Sequence, residues 1–262
     1  MASKYAGLNR ASISYDYLHT NSTTHEFLFG AIVELVDNAR DALAQQMRID
    51  CPPHADMTGG HMLTFLDDGS GMDRREAIGV MTFGYSAKRL DPNMIGQYGN
   101  GLKSGAMRIG KDFILFTKRS DVLTCVFLSR SFHEDERLQE VIVPVPSFTL
   151  DKRPLVEDEE DMKKHEAEMS IILRYSPFKT ESAFFAQFDR IAGASGTFVI
   201  CFNLRLLENG EPELDFRSDL TDIKLANPVD RDSEVPEKEA LRAYLAVVYS
   251  NPRMKVYIRG KK

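Results

Sequence analysis

Three groups of residues have the types and spacing to do chemistry. In Asp67-Asp68-Gly69-Ser70-Gly71-Met72 a carboxylate and two closely spaced glycines end the short apolar run Met62-Leu63-Thr64-Phe65-Leu66. Glycines let a flat ring lie close to the backbone, and a carboxylate accepts a hydrogen bond from an exocyclic amine. Adenine requires both. Further on, Gly96-Gln97-Tyr98-Gly99-Asn100-Gly101-Leu102-Lys103-Ser104-Gly105 offers successive backbone amides running into a helix start, with Lys103 and Ser104 beside them. Such a loop suits an anion such as a polyphosphate. It is not a Walker loop, because Leu102 intrudes between Gly101 and Lys103, and it lacks the third glycine of a dinucleotide fingerprint. The third group lies upstream, where Glu34, Asn38, Asp41 and Gln45 fall on one side of a helical pattern with Arg40 as the only cation near them.

The elements that must position these groups follow from hydrophobic period. At about 100° per residue, Leu28, Ile32, Leu35, Ala39 and Leu43 form one stripe opposite Glu34 and Asn38, which predicts a two-faced helix. It is expected to begin near His25, capped by Thr23 or Thr24, and to end near Met47 before Pro52-Pro53. Met62 to Leu66 reads as a buried strand that carries Asp67 at its end. Asp73 is expected to cap a short helix through Met81, ahead of Phe83-Gly84-Tyr85-Ser86-Ala87-Lys88-Arg89. Strand patterns follow at 113–117, 124–128 and 140–145, broken at Arg119-Ser120-Asp121 and at the polar 133–137. Residues 151–168 are rich in Asp, Glu and Lys and read as an exposed insertion or helix without chemistry. A helix capped near Thr180 should run to about Ile191. The turn Gly193-Ala194-Ser195-Gly196 then leads into 197–204, the most strand-like segment and the candidate central strand. The pattern is α+β rather than alternating βαβ. The polar, aromatic residues 1–24, with little helical or strand period, read as an arm, and a composition break at Asn209-Gly210-Glu211-Pro212 separates a main domain at 25–207 from the beginning of a second unit at 208–262. That second unit ends directly after a strand pattern and reads as truncated.

Composition bounds the class. With 262 residues, 43% hydrophobic and 27% charged, the chain can bury a core without disulfides. No run of about 18 apolar residues occurs, and the first thirty residues show no basic flank followed by an apolar core, so neither a membrane span nor a secretory leader is expected. Cys51, Cys125 and Cys201 are odd in number and far apart, which favours reduced thiols, and Cys51 with His54 and His61 makes a poor zinc set. A formal charge of −6 argues against the segment as a whole coating a phosphate backbone.

Glu34-Leu35-Val36-Asp37-Asn38-Ala39-Arg40-Asp41-Ala42, Asp67-x-Gly69-x-Gly71-Met72, Gly96-x-x-Gly99-x-Gly101 and Gly196-Thr197 resemble the four ordered motifs of the GHKL ATP-binding fold. That fold is shared by gyrase B, Hsp90, histidine kinases and MutL. Asn9-Arg10, His19-Thr20-Asn21-Ser22-Thr23, Phe83-Gly84 with Ser86-Ala87-Lys88, the stretch 96–110, Pro252-Arg253-Met254 and Arg259-Gly260-Lys261 resemble, more closely, the Microrchidia (MORC) ATPases. The likeness covers nearly the whole chain.

The resemblance implies an α+β sandwich of helices on one mixed sheet, followed by the start of a transducer-like unit, with ATP and Mg2+ as cofactors. By the family's matching positions, Glu34 polarises the attacking water, Asn38 coordinates magnesium and Asp67 binds the adenine amine. Gly69, Gly71 and Met72 line the base. Thr197 supports the Asp67 carboxylate. Gly96, Gln97, Tyr98, Gly99, Asn100, Gly101, Leu102, Lys103 and Ser104 form the phosphate lid, with Ser86, Ala87 and Lys88 beside it. One amide oxygen is enough protein for a magnesium ion that keeps its other positions for phosphate and water. The resemblance further implies a nuclear factor that silences genes and compacts chromatin, and whose heads form an ATP-dependent homodimer through the N-terminal arm. Chromatin or DNA contacts would fall to regions outside this chain. The family's active site takes a lysine from the following unit, and no residue here can be assigned to it. A nucleotide-gated dimerisation switch, a histidine kinase domain and a chaperone domain are the alternatives within the same fold.

Overall fold

The structure is a computed structural model that describes residues 7–14, 27–81, 101–226 and 239–262. The expectations for residues 82–100, and for most of the N-terminal arm, lie outside the described residues. In chain order the elements are β1 (Arg10–Ser14), α1 (Leu28–Asp41), β2 (Gln46–Asp50), β3 (Leu63–Asp67), α2 (Arg74–Met81), α3 (Gly101–Ile109), β4 (Gly110–Arg119), β5 (Val122–Ser129), α4 (Arg130–Asp135), β6 (Glu140–Ile142), β7 (Ser147–Thr149), α5 (Glu159–Tyr175), α6 (Glu181–Phe188), β8 (Gly196–Leu204), β9 (Leu214–Asp215), β10 (Lys224–Leu225), α7 (Leu241–Val248) and β11 (Lys255–Ile258).

Seven of the strands form one sheet in the order β11-β2-β3-β8-β4-β5-β7. The β11–β2 pair is parallel and the other pairs are antiparallel, so the sheet is mixed and β8 is its central strand. Alternation along β4 explains why it sits inside: Phe113 and Leu115 point to one face, Ile114 and Phe116 to the other, and all four are buried. On the first face Leu63, Phe65, Phe113, Leu115, Val126 and Leu128 pack with Phe29, Ile32, Leu35 and Val36 of α1. Each such fully buried side chain contributes about 1.5–3 kcal/mol. The second face of β4, β5 and β8 is closed by Ile172 of α5 and by Phe184 and Phe188 of α6. The α+β sandwich holds, and helices cover part of its far side as well.

Local chemistry set several boundaries as expected. Asp73 accepts from the Glu76 N–H at 2.8 Å while Glu76 accepts from the Asp73 N–H at 3.1 Å, closing the first turn of α2. Thr180 caps α6 by accepting from the Ala183 N–H at 3.2 Å. Ser120, at φ 52°, turns β4 into β5.

Other boundaries moved. The expected helix from His25 to Met47 is α1, which starts at Leu28 with Phe27 at the N-cap and no side-chain cap, and stops at Asp41. Its end is a Schellman closure: the Leu43 N–H donates to Arg40 O, and the Ala44 N–H to Ala39 O. Leu43, expected on the buried stripe, is instead the left-handed residue at φ 59° and is 79% exposed. Gln45 and Met47 fall outside the helix, and Met47 belongs to β2, a strand absent from the sequence reading. Asp41, placed there on the polar side, is buried. The last turn of α4 runs into the polar break at 133–137, and the third expected strand shortens to β6, which pairs with β1 rather than with the main sheet. The acidic segment is half right: α5 starts after Asp158, but its inner side buries His165 and Glu168 along with Met169 and Ile172.

Described residues toward both ends lie on this body. Leu8 is buried, and Asn9 O accepts from the Val143 N–H at 2.9 Å. From beyond residue 208, β11 extends the sheet edge, and the Tyr244 ring meets Phe27 and Phe29 at 5.2 and 5.7 Å.

A left-handed leucine is strained by about 1 kcal/mol relative to glycine. Leu43→Gly is therefore expected to stabilise the protein by about 0.5–1 kcal/mol, read as a higher denaturant midpoint at unchanged slope. A fall in the midpoint would show that the exposed leucine makes contacts worth more than its strain.

Candidate functional site

The site is assembled where the C-terminal end of α1 meets the loop after β3. Asp68 accepts from the N–H groups of Gln45 and Gln46 at 2.7 and 2.9 Å, and the Ser70 N–H donates to Ala42 O at 2.9 Å. Gly69 packs so tightly that an added Cβ would lie 2.8 Å from the Ala42 side chain. The helix bearing Glu34 and Asn38 is thus pinned at its end to the loop bearing Gly69, Gly71 and Met72. From Glu34 to Ala42 it rises about 12 Å at ~1.5 Å per residue, of the order of an extended nucleotide from base to last phosphate.

At the far end, α3 supplies the second wall. An added Cβ on Gly101 would run into Glu34 Oε2, and one on Gly105 would lie 2.6 Å from Ala31 O and 3.3 Å from the Glu34 Cβ. Two glycines one turn apart therefore let α3 approach α1 at the turn that carries Glu34. The Glu34 carboxylate lies at the first residue of α3, a helix N-terminus, which is a favourable place for negative charge. Asn38 donates its side-chain nitrogen to Glu34 O at 2.6 Å. That turns the nitrogen inward and leaves the amide oxygen as the group that can meet a hard cation. Asp37 is directed elsewhere: it accepts from the Tyr249 hydroxyl at 2.7 Å, and the Arg40 guanidinium lies 6.0 Å from the Tyr249 ring centre.

Asp67 ends β3 opposite Thr197 of β8, and only 9% of it is exposed. Burial pushes its carboxyl up to about 6; hydrogen bonds from the Gly69 N–H, at 2.9 Å, and from the Thr197 backbone pull it down, and the Asp68 charge pushes it up. Gly196 lets β8 come close, since an added Cβ would meet Asp67 O at 2.6 Å.

Of the residues singled out by sequence, Glu34, Asn38, Asp67, Gly69, Gly71, Met72, Gly101 and Thr197 are placed around α1, β3, α3 and β8. Leu102, Lys103 and Ser104 form the first turn of α3 and are buried; Lys103 is fully so, and burial lowers its ammonium to about 8. Ser86, Ala87, Lys88, Gly96, Gln97, Tyr98, Gly99 and Asn100 lie outside the described residues. Sequence reasoning missed Thr117, Ser195 and Gly105. An isolated threonine in a strand, or a serine in a turn, carries no signal, whereas the spacing Gly101-x-x-x-Gly105, read only as part of an anion-binding glycine cluster, is a signal that could have pointed to a close helix contact.

The displaced ionisation of Asp67 has a sign for stability. Its folded value lies above the ordinary 3.8, so the folded state holds the proton longer, and this group's contribution to stability falls as pH rises from about 4 to about 6. Two units correspond to about 3 kcal/mol. Asp67→Asn is expected to raise ligand-free stability at pH 7 by about 2 kcal/mol and to flatten the stability profile between pH 4 and 6, measured by denaturant unfolding. Equal destabilisation at pH 4 and pH 7 would contradict a buried charge as the cost.

Comparison with known proteins agrees with this geometry. The family model described as histidine kinase-, DNA gyrase B-, and HSP90-like ATPase matches residues 25–165. The chain is 55% identical over 259 residues to ATPase MORC2 of Homo sapiens, covering 98% of this chain and 25% of that protein. It is 50% identical over 263 residues to MORC family CW-type zinc finger protein 1 of Homo sapiens, covering 100% of this chain and 26% of that protein. With ATPase morc-1 of Caenorhabditis elegans the identity is 41% over 260 residues, 98% of this chain and 30% of that protein. The chain thus spans about a quarter of the length of the curated relatives it matches. With the motif-bearing helix, the carboxylate at the strand end and the glycine-bearing helix in one place, the chain belongs to the histidine kinase-, DNA gyrase B- and HSP90-like ATPases, with its likeness to the Microrchidia members among them.

Proposed function

We propose that this chain binds Mg-ATP along α1, hydrolyses it slowly, and pairs with a second head when ATP is bound, as part of a nuclear factor that silences genes and compacts chromatin. One observation carries the reading: Glu34, Asn38 and the Asp67 loop are joined through a single helix whose two ends are fixed by α3 and by Gly69. The donor set fits the ligand. Asp67 accepts the amine of adenine, the base lies over Gly69, Gly71 and Met72, and Thr197 holds the carboxylate from behind. Asn38 gives its amide oxygen to magnesium. The residues at 96–104, with Ser86, Ala87 and Lys88, meet the phosphates.

Magnesium, when bound, supplies charge neutralisation on the phosphate oxygens. The chain's own part is positioning and proton handling. Phosphoryl transfer to water leaves the protein little covalent work, and a carboxylate that orients the water and takes its proton is sufficient. Glu34 occupies that role. The nuclear location, paired heads and chromatin partner rest on the likeness to Microrchidia ATPases; among the described residues no helix is long and apolar enough to cross a membrane.

The test separates binding from turnover. Glu34→Gln should lower turnover about a hundredfold or more while ATP affinity stays within about threefold, because no metal or phosphate contact is lost. That variant should accumulate as an ATP-bound dimer in sedimentation. Asn38→Ala should instead lose the magnesium dependence of ATP affinity in calorimetry. Normal turnover by Glu34→Gln would remove Glu34 from the chemistry, and a monomer at saturating ATP would remove nucleotide-driven pairing.

A further inference from the structure

Thr117, on β4, lies under the loop that follows β3. It is fully buried, and its hydroxyl is used twice: it accepts from the Met72 N–H at 2.8 Å and donates to Gly196 O at 3.2 Å. In the sheet Thr117 pairs with Thr197, which pairs with Asp67, so the three residues form one row across β4, β8 and β3. The rest of the loop is tied in the same manner. The Gly69 N–H goes to Asp67, the Ser70 N–H goes to Ala42 O, and the Ser195 hydroxyl donates to Gly69 O at 2.8 Å. Gly71, at φ 63°, presses against Lys118 O so closely that no side chain could stand there. These backbone groups are spent inside the protein. They fix the loop and leave the carboxylate to read the base.

We propose that Thr117 is a positioning residue for the base: its hydroxyl holds the Gly69–Met72 platform at the height from which Asp67 can be reached, without touching the nucleotide. The proposal rests on the ATP reading above. It needs a hydroxyl, because one atom serves as acceptor and donor at once. Valine keeps the shape and leaves the Met72 N–H and Gly196 O without that partner, whereas serine keeps both bonds.

The experiment uses the full-length protein and compares Thr117→Val with Thr117→Ser. In Thr117→Val the KM for ATP and the Kd for adenosine should each rise about tenfold or more, with kcat at saturating ATP within about twofold and the affinity for inorganic triphosphate unchanged. Thr117→Ser should restore all values to within about threefold. A kcat loss at unchanged KM, an equal loss of triphosphate affinity, or failure of serine to rescue would overturn the assignment. Should the valine variant not fold, Ser195→Ala, which removes only the bond to Gly69 O, should raise the KM for ATP and the Kd for adenosine by about threefold with kcat unchanged; unaltered adenosine binding overturns the platform. Wild-type protein that binds no ATP would sink the underlying reading together with this one, while tight wild-type binding with an unaffected valine variant would sink only the role of Thr117.

Discussion

The structure depends on holding one carboxylate, that of Asp67, nine-tenths out of water at the end of a strand. Its burial lifts the carboxyl to about 6, so at neutral pH the charge is kept at a cost of roughly 3 kcal/mol. Two backbone N–H groups already keep that cost from being larger, and they can do so only because Gly69 turns back over the side chain and β8 runs alongside. A buried acceptor with unfilled capacity is poised for a ligand that brings a donor. That cost is part of the free energy that binding a donor recovers.

The same logic of close approach runs through the other end of the site. Gly101 and Gly105 place α3 against Ala31 and Glu34, and Gly69 places the loop against Ala42, so α1 is gripped at both ends of its polar side. Its apolar side is committed to the sheet through Phe29, Ile32, Leu35 and Val36. A helix restrained on both sides keeps Glu34 and Asn38 in fixed relation to Asp67, which is what catalysis by positioning requires. From the outer side, Tyr249 holds Asp37, one residue before Asn38. The buried Arg108 forms paired 2.7 Å bonds with Glu213 and anchors the end of α3 to the segment before β9. Residues after position 208 therefore brace both helices of the site.

Much of this was legible in the sequence where chemistry is local. Asp73 and Glu76 announce their capping box, Thr180 its cap, and the apolar run at 197–204 its interior strand. Asp67-x-Gly69-x-Gly71 announced a carboxylate beside bare backbone. What escaped depended on tertiary compensation. The end of α1 was hidden because leucine, not glycine, occupies its left-handed position, so the helical period ran on through Leu43 into what is β2. The buried side of α5 was hidden because Glu168 is satisfied by the Val145 N–H and the Asn9 side chain, partners far away in the chain. Thr117 was hidden for a related reason: its two bonds reach residues 45 and 79 positions away.

The central claim is that one helix carries a nucleotide between the Asp67 loop and Glu34. It is tested most directly by a crystal structure of the full-length protein with magnesium and a non-hydrolysable ATP analogue. The account predicts the adenine amine on the Asp67 carboxylate, the metal on the Asn38 amide oxygen and the last phosphate beside Glu34. A base bound away from Asp67, or a metal held without Asn38, would contradict it.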